Sequence, residues 1–485
     1  MKMLAAMFAI ALGGLALEGG IMTGAAHLPQ ADGYRGIWYS NQPSHDEYVY
    51  KYSGGLGTYC AQHLPMAYYA PEARKTFFVY GGTTGVGDRA SLLEMVSYYD
   101  HVTGLVPRPT IVLDKHTPDA HHNPTISLDD RGHIWIFMSS HGGKDGFIYR
   151  SRAPFSIDAF DRVEQHEFTY PQPWYMKDFG FFFLFTKYTA GRELYWRTSR
   201  DGITWSDDRK CVGFGGHYQV SWVLGSKCGT AFNFHPPVGG LNARTNLYYL
   251  ETTDHGRTWH NAAGEPVTAP LHSVRNNALV HEYQSEGWLV YIQDLNFDAA
   301  GNPVILYLLS RGYESGPNNG PRIWTTARWT GSGWRILPAF ESDHNYDLGS
   351  LYIEEDGTWR VIGPTEPGPQ PYCTGGDIAM WTSADQGKTW RKVRQLTHAK
   401  ARNHTYVRRP VNAHADFYAF WADGDALRPS ESHLYFASKA GDVRMLPWRM
   451  ARDFGKPSLL RDARGGEDEE DHSAPARPDA GNVRR

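Results

Sequence analysis

The sequence predicts an all-β fold, a β-propeller of seven blades, and three observations carry that expectation. Aromatic residues make up 14% of the 485-residue chain, alongside 51 glycines and 29 prolines. That composition suits many short strands joined by tight turns better than helical packing. A turn motif also repeats: residues 252–259 (TTDHGRTW) and 383–390 (SADQGKTW) both fit S/T-x-D-x-G-x-T-W, the Asp-box pattern. Residues 198–205 (TSRDGITW) are a near copy with the Asp shifted by one, and Asp130–Trp135, Asp298–Gly301 and Asp356–Trp359 are degenerate relatives. In such a turn the Asp carboxylate accepts turn amides, Gly supplies a positive φ, and Trp plugs the gap between neighbouring sheets. Between these turns the chain supplies short apolar, branched or aromatic runs at 76–80, 181–186, 194–198, 247–251, 289–292, 304–309 and 417–421. No long stretch has helical periodicity, and residues 88–99 read as a short helix or another strand. About 430 residues at roughly 60 per blade give seven blades, and six or eight also fit.

Taken in order, the chain opens with Lys2, an apolar run from Leu4 to Leu17 and the small residues Gly24, Ala25 and Ala26. This reads as a secretory signal peptide over residues 1–26, too short for a membrane span, so the mature protein is expected from His27, secreted or periplasmic. Residues 27–455 form the single propeller domain, and residues 456–485, rich in Arg, Asp, Glu, Gly and Pro, read as a disordered charged tail. Of four cysteines, Cys211 and Cys228 are near enough in sequence to bridge neighbouring strands, whereas Cys60 and Cys373 are isolated; the spacing matches no standard zinc pattern and leaves disulfide and zinc ligation both open. The formal charge of −4 comes without a basic block, so no nucleic-acid footprint is present. A polyanion could still be held by a local cluster of Arg and His.

Residues 114–142 (DKHTPDAHHNPTISLDDRGHIWIFMSSHG) gather the most polar chemistry around one hairpin. Residues 125–128 and 133–138 are its strands, and 129–132 its turn. If Asp130 and His133 flank the turn, His122 and His141 face each other across the ladder, with Cβ atoms about 5 Å apart. Two imidazoles so placed can act on one bound group; equally, they could be a chance pairing at a strand end.

The Asp boxes, the opening Tyr34-Arg-Gly-Ile-Trp38, the HHNP and SSHG elements of that hairpin, Phe185-Thr-Lys-Tyr188 and Asn242-Ala-Arg-Thr-Asn-Leu-Tyr-Tyr249 together resemble the secreted BNR-repeat family that contains the propeller-type ulvan lyases. The resemblance runs from about Tyr34 to Trp448. It implies a seven-bladed propeller that cleaves rhamnose–glucuronate polysaccharides by β-elimination, with two histidines, a tyrosine and a charge-neutralising arginine. His122 and His141 match the histidines, Tyr188 the tyrosine, and Arg244 the arginine, with Arg197 second. Asn123, Lys187, Tyr248 and Arg197 are the accompanying substrate-binding candidates. The expected partner is an acidic polysaccharide, sulfated or not, met by a monomer without nucleic acid or membrane. The chemistry needs no cofactor, and a structural zinc or calcium ion is compatible with it.

Those residue types suit the reaction. Elimination at a uronic acid needs a base for the C5 proton, an acid for the departing O4, and positive charge beside the carboxylate. Arginine forks onto carboxylates, histidine titrates near neutrality, and a tyrosine beside a cation can take a proton and return it. The preferred assignment makes Tyr188 base and acid, with the histidines orienting the sugar and sharing proton transfer and Arg as neutraliser; exchanging the roles of Tyr188 and His141 is the alternative. Each residue also has an ordinary explanation: Tyr188 as one of 29 tyrosines, Arg244 paired with a carboxylate, Arg197 stacked on Tyr195 or Trp196. Two other function classes compete. A sialidase-like glycoside hydrolase would carry an Arg-Ile-Pro motif, but Arg35 is followed by Gly-Ile-Trp. A non-catalytic glycan-binding propeller would use aromatic surfaces and yield no product.

Overall fold

A computed structural model describes residues 27–86 and 90–460. The expected signal peptide and residues 461–485 of the expected tail lie outside the described residues. Seven antiparallel sheets follow one another along the chain, at residues 67–114, 124–166, 169–212, 219–281, 289–342, 350–395 and 403–459, and are numbered here as blades 1 to 7. Within each, strands adjacent in sequence pair with each other; blade 4 carries two extra short strands and blade 7 one. Among the described residues there is no α-helix, only three short 3₁₀ turns, and the 88–99 region resolves as the strand Leu92–Asp100. No helix there is long and apolar enough to cross a membrane.

The strand Gly180–Tyr188 shows why such sequences make blades. Its run FFFLF is apolar on both faces because a blade is covered on both sides. Phe181 and Phe183 meet Phe137 of blade 2, with ring centroids 5.9 and 5.0 Å away. Phe182, pointing the other way, meets Trp259 of blade 4 at 6.2 Å. Each such phenyl, fully buried, stabilises the stack by about 1.5–3 kcal/mol.

The repeated turns fix the blade edges. Asp254 accepts the Thr258 amide and hydroxyl at 2.9 and 2.7 Å, and Asp385 does the same with Thr389. Asp201 accepts the amides of Ile203 and Thr204, so the near copy closes the same kind of turn. Gly202 and Gly256, at φ +74° and +81°, could not be replaced cheaply: an added Cβ would lie 2.3 and 2.7 Å from Trp135 and Trp196 of the preceding blade.

Blades 7 and 1 close the ring. Phe78 stacks on Phe417 at 5.6 Å, Tyr68 bridges Val411, and Phe454–Gly455 pairs with Val106–Pro107. The ordered chain passes the expected boundary at 455, because Ser458–Leu459 adds a last pair to blade 7. A hairpin before blade 1, Trp38–Pro43 with Tyr50–Gly55, belongs to no blade. It lies across one mouth of the channel, where Lys51 donates to Asn242 Oδ1, Ser315 Oγ donates to the Tyr50 carbonyl, and the Ser53 amide donates to Thr374.

Two expectations change. The hairpin of blade 2 pairs Pro124 with Met138 and Leu128 with Ile134, one residue out from the expected register. Asp129 is the turn's acceptor, taking the amides of Arg131 and His133, so three residues rather than two turn the corner. His122 consequently sits in the 3₁₀ turn Ala120–His122, off the ladder. All four cysteines are buried thiols, so Cys211 and Cys228 are unbridged.

Candidate active site

Antiparallel order sends the loops after the second and fourth strand of every blade to one face, and that face carries the expected chemistry. Asp119, His121 and His122 follow the last strand of blade 1, and His141 follows the second strand of blade 2. Tyr188 and Arg192 flank the middle turn of blade 3, while Arg244 closes the 3₁₀ turn Gly240–Ala243 of blade 4. They converge around a narrow cavity of about 80 Å³ at the channel mouth, walled by His121, His141, Arg192 and Arg244 together with Tyr52 and Tyr59.

The core of the arrangement is a carboxylate shared by two imidazoles. Asp119 Oδ1 lies 2.5 Å from His121 Nδ1, and Oδ2 lies 2.6 Å from His141 Nδ1. The two rings stack at 4.0 Å and 13°. Burial works against the charged carboxylate, yet the hydrogen bonds from both histidines win and hold Asp119 well below the usual carboxyl range. An anionic Asp119 requires N–H on both Nδ1 atoms, so in a neutral ring Nε2 is the acceptor. His121 Nε2 receives Tyr59 and Tyr52 hydroxyls at 2.8 and 3.1 Å; burial depresses its pKa and keeps it neutral. His141 Nε2 has no protein partner among the described residues.

His122, His141 and Tyr188 form a row, with successive ring centroids 6.2 and 6.0 Å apart. The two histidines expected to cooperate are thus neighbours, brought together by the loop after blade 1 instead of by strand register. His122 stands beside the cavity: its Nδ1 is buried 3.7 Å from Asp145, and burial, then Lys115, pushes its pKa down to about 4. Tyr188 receives a hydrogen bond from Arg192 Nε at 3.1 Å. Burial raises the phenol above its ordinary value while Arg192 pulls it back.

Three cations face this row. Arg244 is buried against Tyr291, Tyr218 and Tyr346, 4.4, 4.9 and 5.6 Å from the ring centres, and donates to Leu241 O and Tyr346 OH. Among the described residues no carboxylate pairs with it, so the internal ion pair that would explain it ordinarily is not found there. Arg192 likewise has no acidic partner among the described residues, and both its terminal amino groups lack hydrogen bonds to them. Lys51, almost fully buried, is pushed down to about 6 by burial and then by the two arginines. Sequence reasoning missed Arg192, Lys51, Asp119 and His121. Asp119 and His121 lay inside the stretch singled out, and an acid two residues before a histidine pair was the available signal; Arg192 carried none.

The four substrate-binding candidates lie elsewhere or are occupied. Asn123 is fully buried and its amide donates to the carbonyls of Leu56, Gly57 and Tyr59, clamping the chain below the site. Arg197 is paired with Glu164 at 2.9 Å and Asp208 at 3.8 Å over Trp205. Lys187 pairs with the same Asp208 at 2.9 Å. Tyr248 stacks on Phe232 within blade 4 and its hydroxyl donates to Val274 O. Each is consumed by the fold. Two groups have metal-compatible spacing: Asp119, His122 and His141 at the site, and His101, His414 and Asp416 at the seam of blades 1 and 7. In the first, both Asp119 oxygens are held by imidazole nitrogens, of His121 and His141, while the buried His122 Nδ1 has no hydrogen-bond partner among the described residues.

Comparison with known proteins agrees with this architecture. Residues 106–341 match the BNR repeat-containing family. An ulvan lyase of Nonlabens ulvanivorans is 23% identical over 324 residues, 56% of this chain and 64% of that protein. An ulvan lyase, PL25, of Pseudoalteromonas sp. (strain PLSV) is 24% identical over 269 residues, 46% and 54% of the two chains. The matched stretch is therefore less than two thirds of either relative. A solved polysaccharide lyase PL25 ulvan lyase, bound to -[GlcA(1-4)Rha3S]-, superposes with a TM-score of 0.66 at 16% identity, covering 85% of this chain and 96% of that one. The polysaccharide lyase Uly1 superposes at 0.55 with 12% identity, covering 84% and 98%. At such identities the superpositions establish a common propeller fold.

Proposed function

For a chain whose residues 106–341 match the BNR repeat-containing family and which folds as a seven-bladed propeller, we propose the activity of a secreted polysaccharide lyase, cutting a uronate polymer of the rhamnose–glucuronate kind by β-elimination. The observation that carries this reading is the pairing of a carboxylate-anchored imidazole with a tyrosine and with arginines that have no internal acid. Such unpaired guanidiniums at a cavity are poised for an anionic ligand.

In this reading the free fork of Arg192 grips the uronate carboxylate, and Arg244 deepens the positive field, while Lys51, its pKa pushed down to about 6, stands beside them as a largely neutral hydrogen-bonding amine. Withdrawing charge from the carboxylate acidifies the C5 proton and stabilises the enolate-like intermediate. His141 then takes that proton through Nε2, Asp119 holding the opposite N–H and stabilising the imidazolium. Tyr188, kept protonated by burial, gives its hydroxyl proton to the departing O4, and the C4–C5 double bond forms as the C4–O4 bond breaks. The assignment preferred from the sequence, with Tyr188 as both base and acid, gives way to this exchange of roles because a phenolate would have to form in a buried position, whereas His141 Nε2 has no protein partner among the described residues. His122, at the end of the row, orients the neighbouring sugar.

Incubation with ulvan and with other uronate polymers, followed by the ultraviolet absorbance of unsaturated uronate, tests the reaction class. New reducing ends without that absorbance would indicate a hydrolase and sink the proposal. A uronide with a good leaving group at C4 separates the roles: it should rescue Tyr188→Phe and leave His141→Ala inactive.

A further inference from the structure

The opposite face of the propeller carries a second concentration of unpaired cations. Between the bottom turns of blades 3 and 4 runs a groove of about 580 Å³, edged by Arg200, Arg209 and Arg257. All three are exposed, and none has a carboxylate within 4 Å among the described residues. Their guanidiniums lie along aromatic walls: Arg200 is 4.6 Å from the Phe179 ring centre and Arg209 is 5.0 Å from that of Trp196. His255 stacks flat on Phe179 at 3.4 Å and 5°, and Trp205 forms the far side. The acids of the two turns are spent: Asp201 accepts Ile203, Thr204 and Ser199 groups, and Asp254 accepts Thr258 and Thr252 groups. The positive charge of Arg200 and Arg257 reaches His255 and, after burial, lowers its pKa. On a chain of formal charge −4, three arginines in one groove without an ion-pair partner among the described residues are a local anion-binding feature, not a reflection of overall charge.

We infer that this groove is a secondary binding site for an anionic polysaccharide, its guanidiniums taking sulfate or carboxylate groups and its aromatic faces packing against the sugar rings. The inference rests on the proposed polysaccharide substrate, but the groove belongs to the turns after the first and third strands, on the face away from Asp119 and His141. A chain held there is not the chain being cut. Its effect is to keep the protein on a polymer network, raising the local concentration of cleavable segments.

The test uses the full-length protein in native gels cast with dissolved ulvan. Replacing Arg200, Arg209 and Arg257 together by Gln removes the charges while keeping polar side chains, and should weaken retardation roughly tenfold, an effect that fades with added salt. Arg257→Glu alone, on an exposed turn, should give a severalfold loss without touching the packed aromatic walls. Removing the same charge elsewhere, Lys388, Arg391 and Lys400 to Gln, should leave retardation unchanged. Equal loss in that control, unaltered retardation in the groove variants, or equal groove-dependent retardation by duplex DNA would each overturn the inference. Loss of retardation in a protein that produces no unsaturated uronate would leave the groove standing and remove the lyase reading; in an active protein, the groove variants should lose rate on gelled ulvan and keep it on a short oligosaccharide.

Discussion

Replacing Arg192 by Gln isolates the charge on which the elimination depends. A guanidinium about 4 Å from a carboxylate is worth about 4 kcal/mol at the effective dielectric of a partly buried site. The interaction grows as the enolate-like charge develops, so most of it is expressed in the transition state. At 1.36 kcal/mol per decade, kcat/KM should fall about a thousandfold. The fold should barely notice. Arg192 gives up one hydrogen bond to Tyr188 and positions over the rings of Tyr188 and Tyr218 at 5.1 and 5.9 Å, together about 1–2 kcal/mol, offset by removal of a half-buried cation. Initial rates of ultraviolet absorbance at low ulvan concentration give kcat/KM, and a thermal melt reports the fold. Arg192→Lys, which keeps the charge without the fork, should fall between the two enzymes. A Gln variant within fivefold of wild type would refute the assigned role and shift the neutraliser to Arg244.

Asp119→Asn should cost roughly a hundredfold in rate, because an amide cannot accept from both imidazoles, while His141→Ala should cost roughly a thousandfold; equal activity in either variant, read by the same absorbance, contradicts the shared-carboxylate arrangement. Arg197→Met should behave oppositely, lowering the unfolding free energy by about 3 kcal/mol in urea titration through the stranded Glu164, Asp208 keeping Lys187, with kcat/KM per folded molecule unchanged. Stability should also decline in acid through His217, whose pKa burial pushes down from an ordinary 6.5 to about 4. Between those values the unfolded chain binds a proton that the folded chain refuses, so stability falls as pH drops through that window, by about 3 kcal/mol in full, and levels off below it. His217→Gln should flatten that limb of the urea midpoint against pH.

Much of the architecture was legible because it is written in local, periodic signals. The Asp-x-Gly-x-Thr-Trp turns are closed by contacts within a few residues, so 252–259 and 383–390 announce themselves. The site was only partly legible because its contacts are not local. Arg192 matters through Tyr188, four residues away, and through a cavity whose other walls come from blades 1, 2 and 4. Arg197 looked equivalent in sequence, yet strand alternation turns it toward Glu164 within the stack. The His122–His141 pairing was anticipated from a register that is off by one. The rings still meet because Asp119 gathers His141 onto the loop, a contact that no spacing rule describes.

The hairpin that bridges the channel mouth has a consequence for how the molecule matures. Tyr50, Lys51 and Ser53 make hydrogen bonds with partners 191 to 373 positions away in the chain, at Asn242, Ser315, Thr374 and Ala426. Such distant closures form late, after the blades that supply the partners. Tyr52 and Tyr59, which orient His121, ride on this segment and the loop behind it. Competence should therefore be the last property gained on refolding and the first lost on gentle denaturation, while the surrounding sheets are still intact.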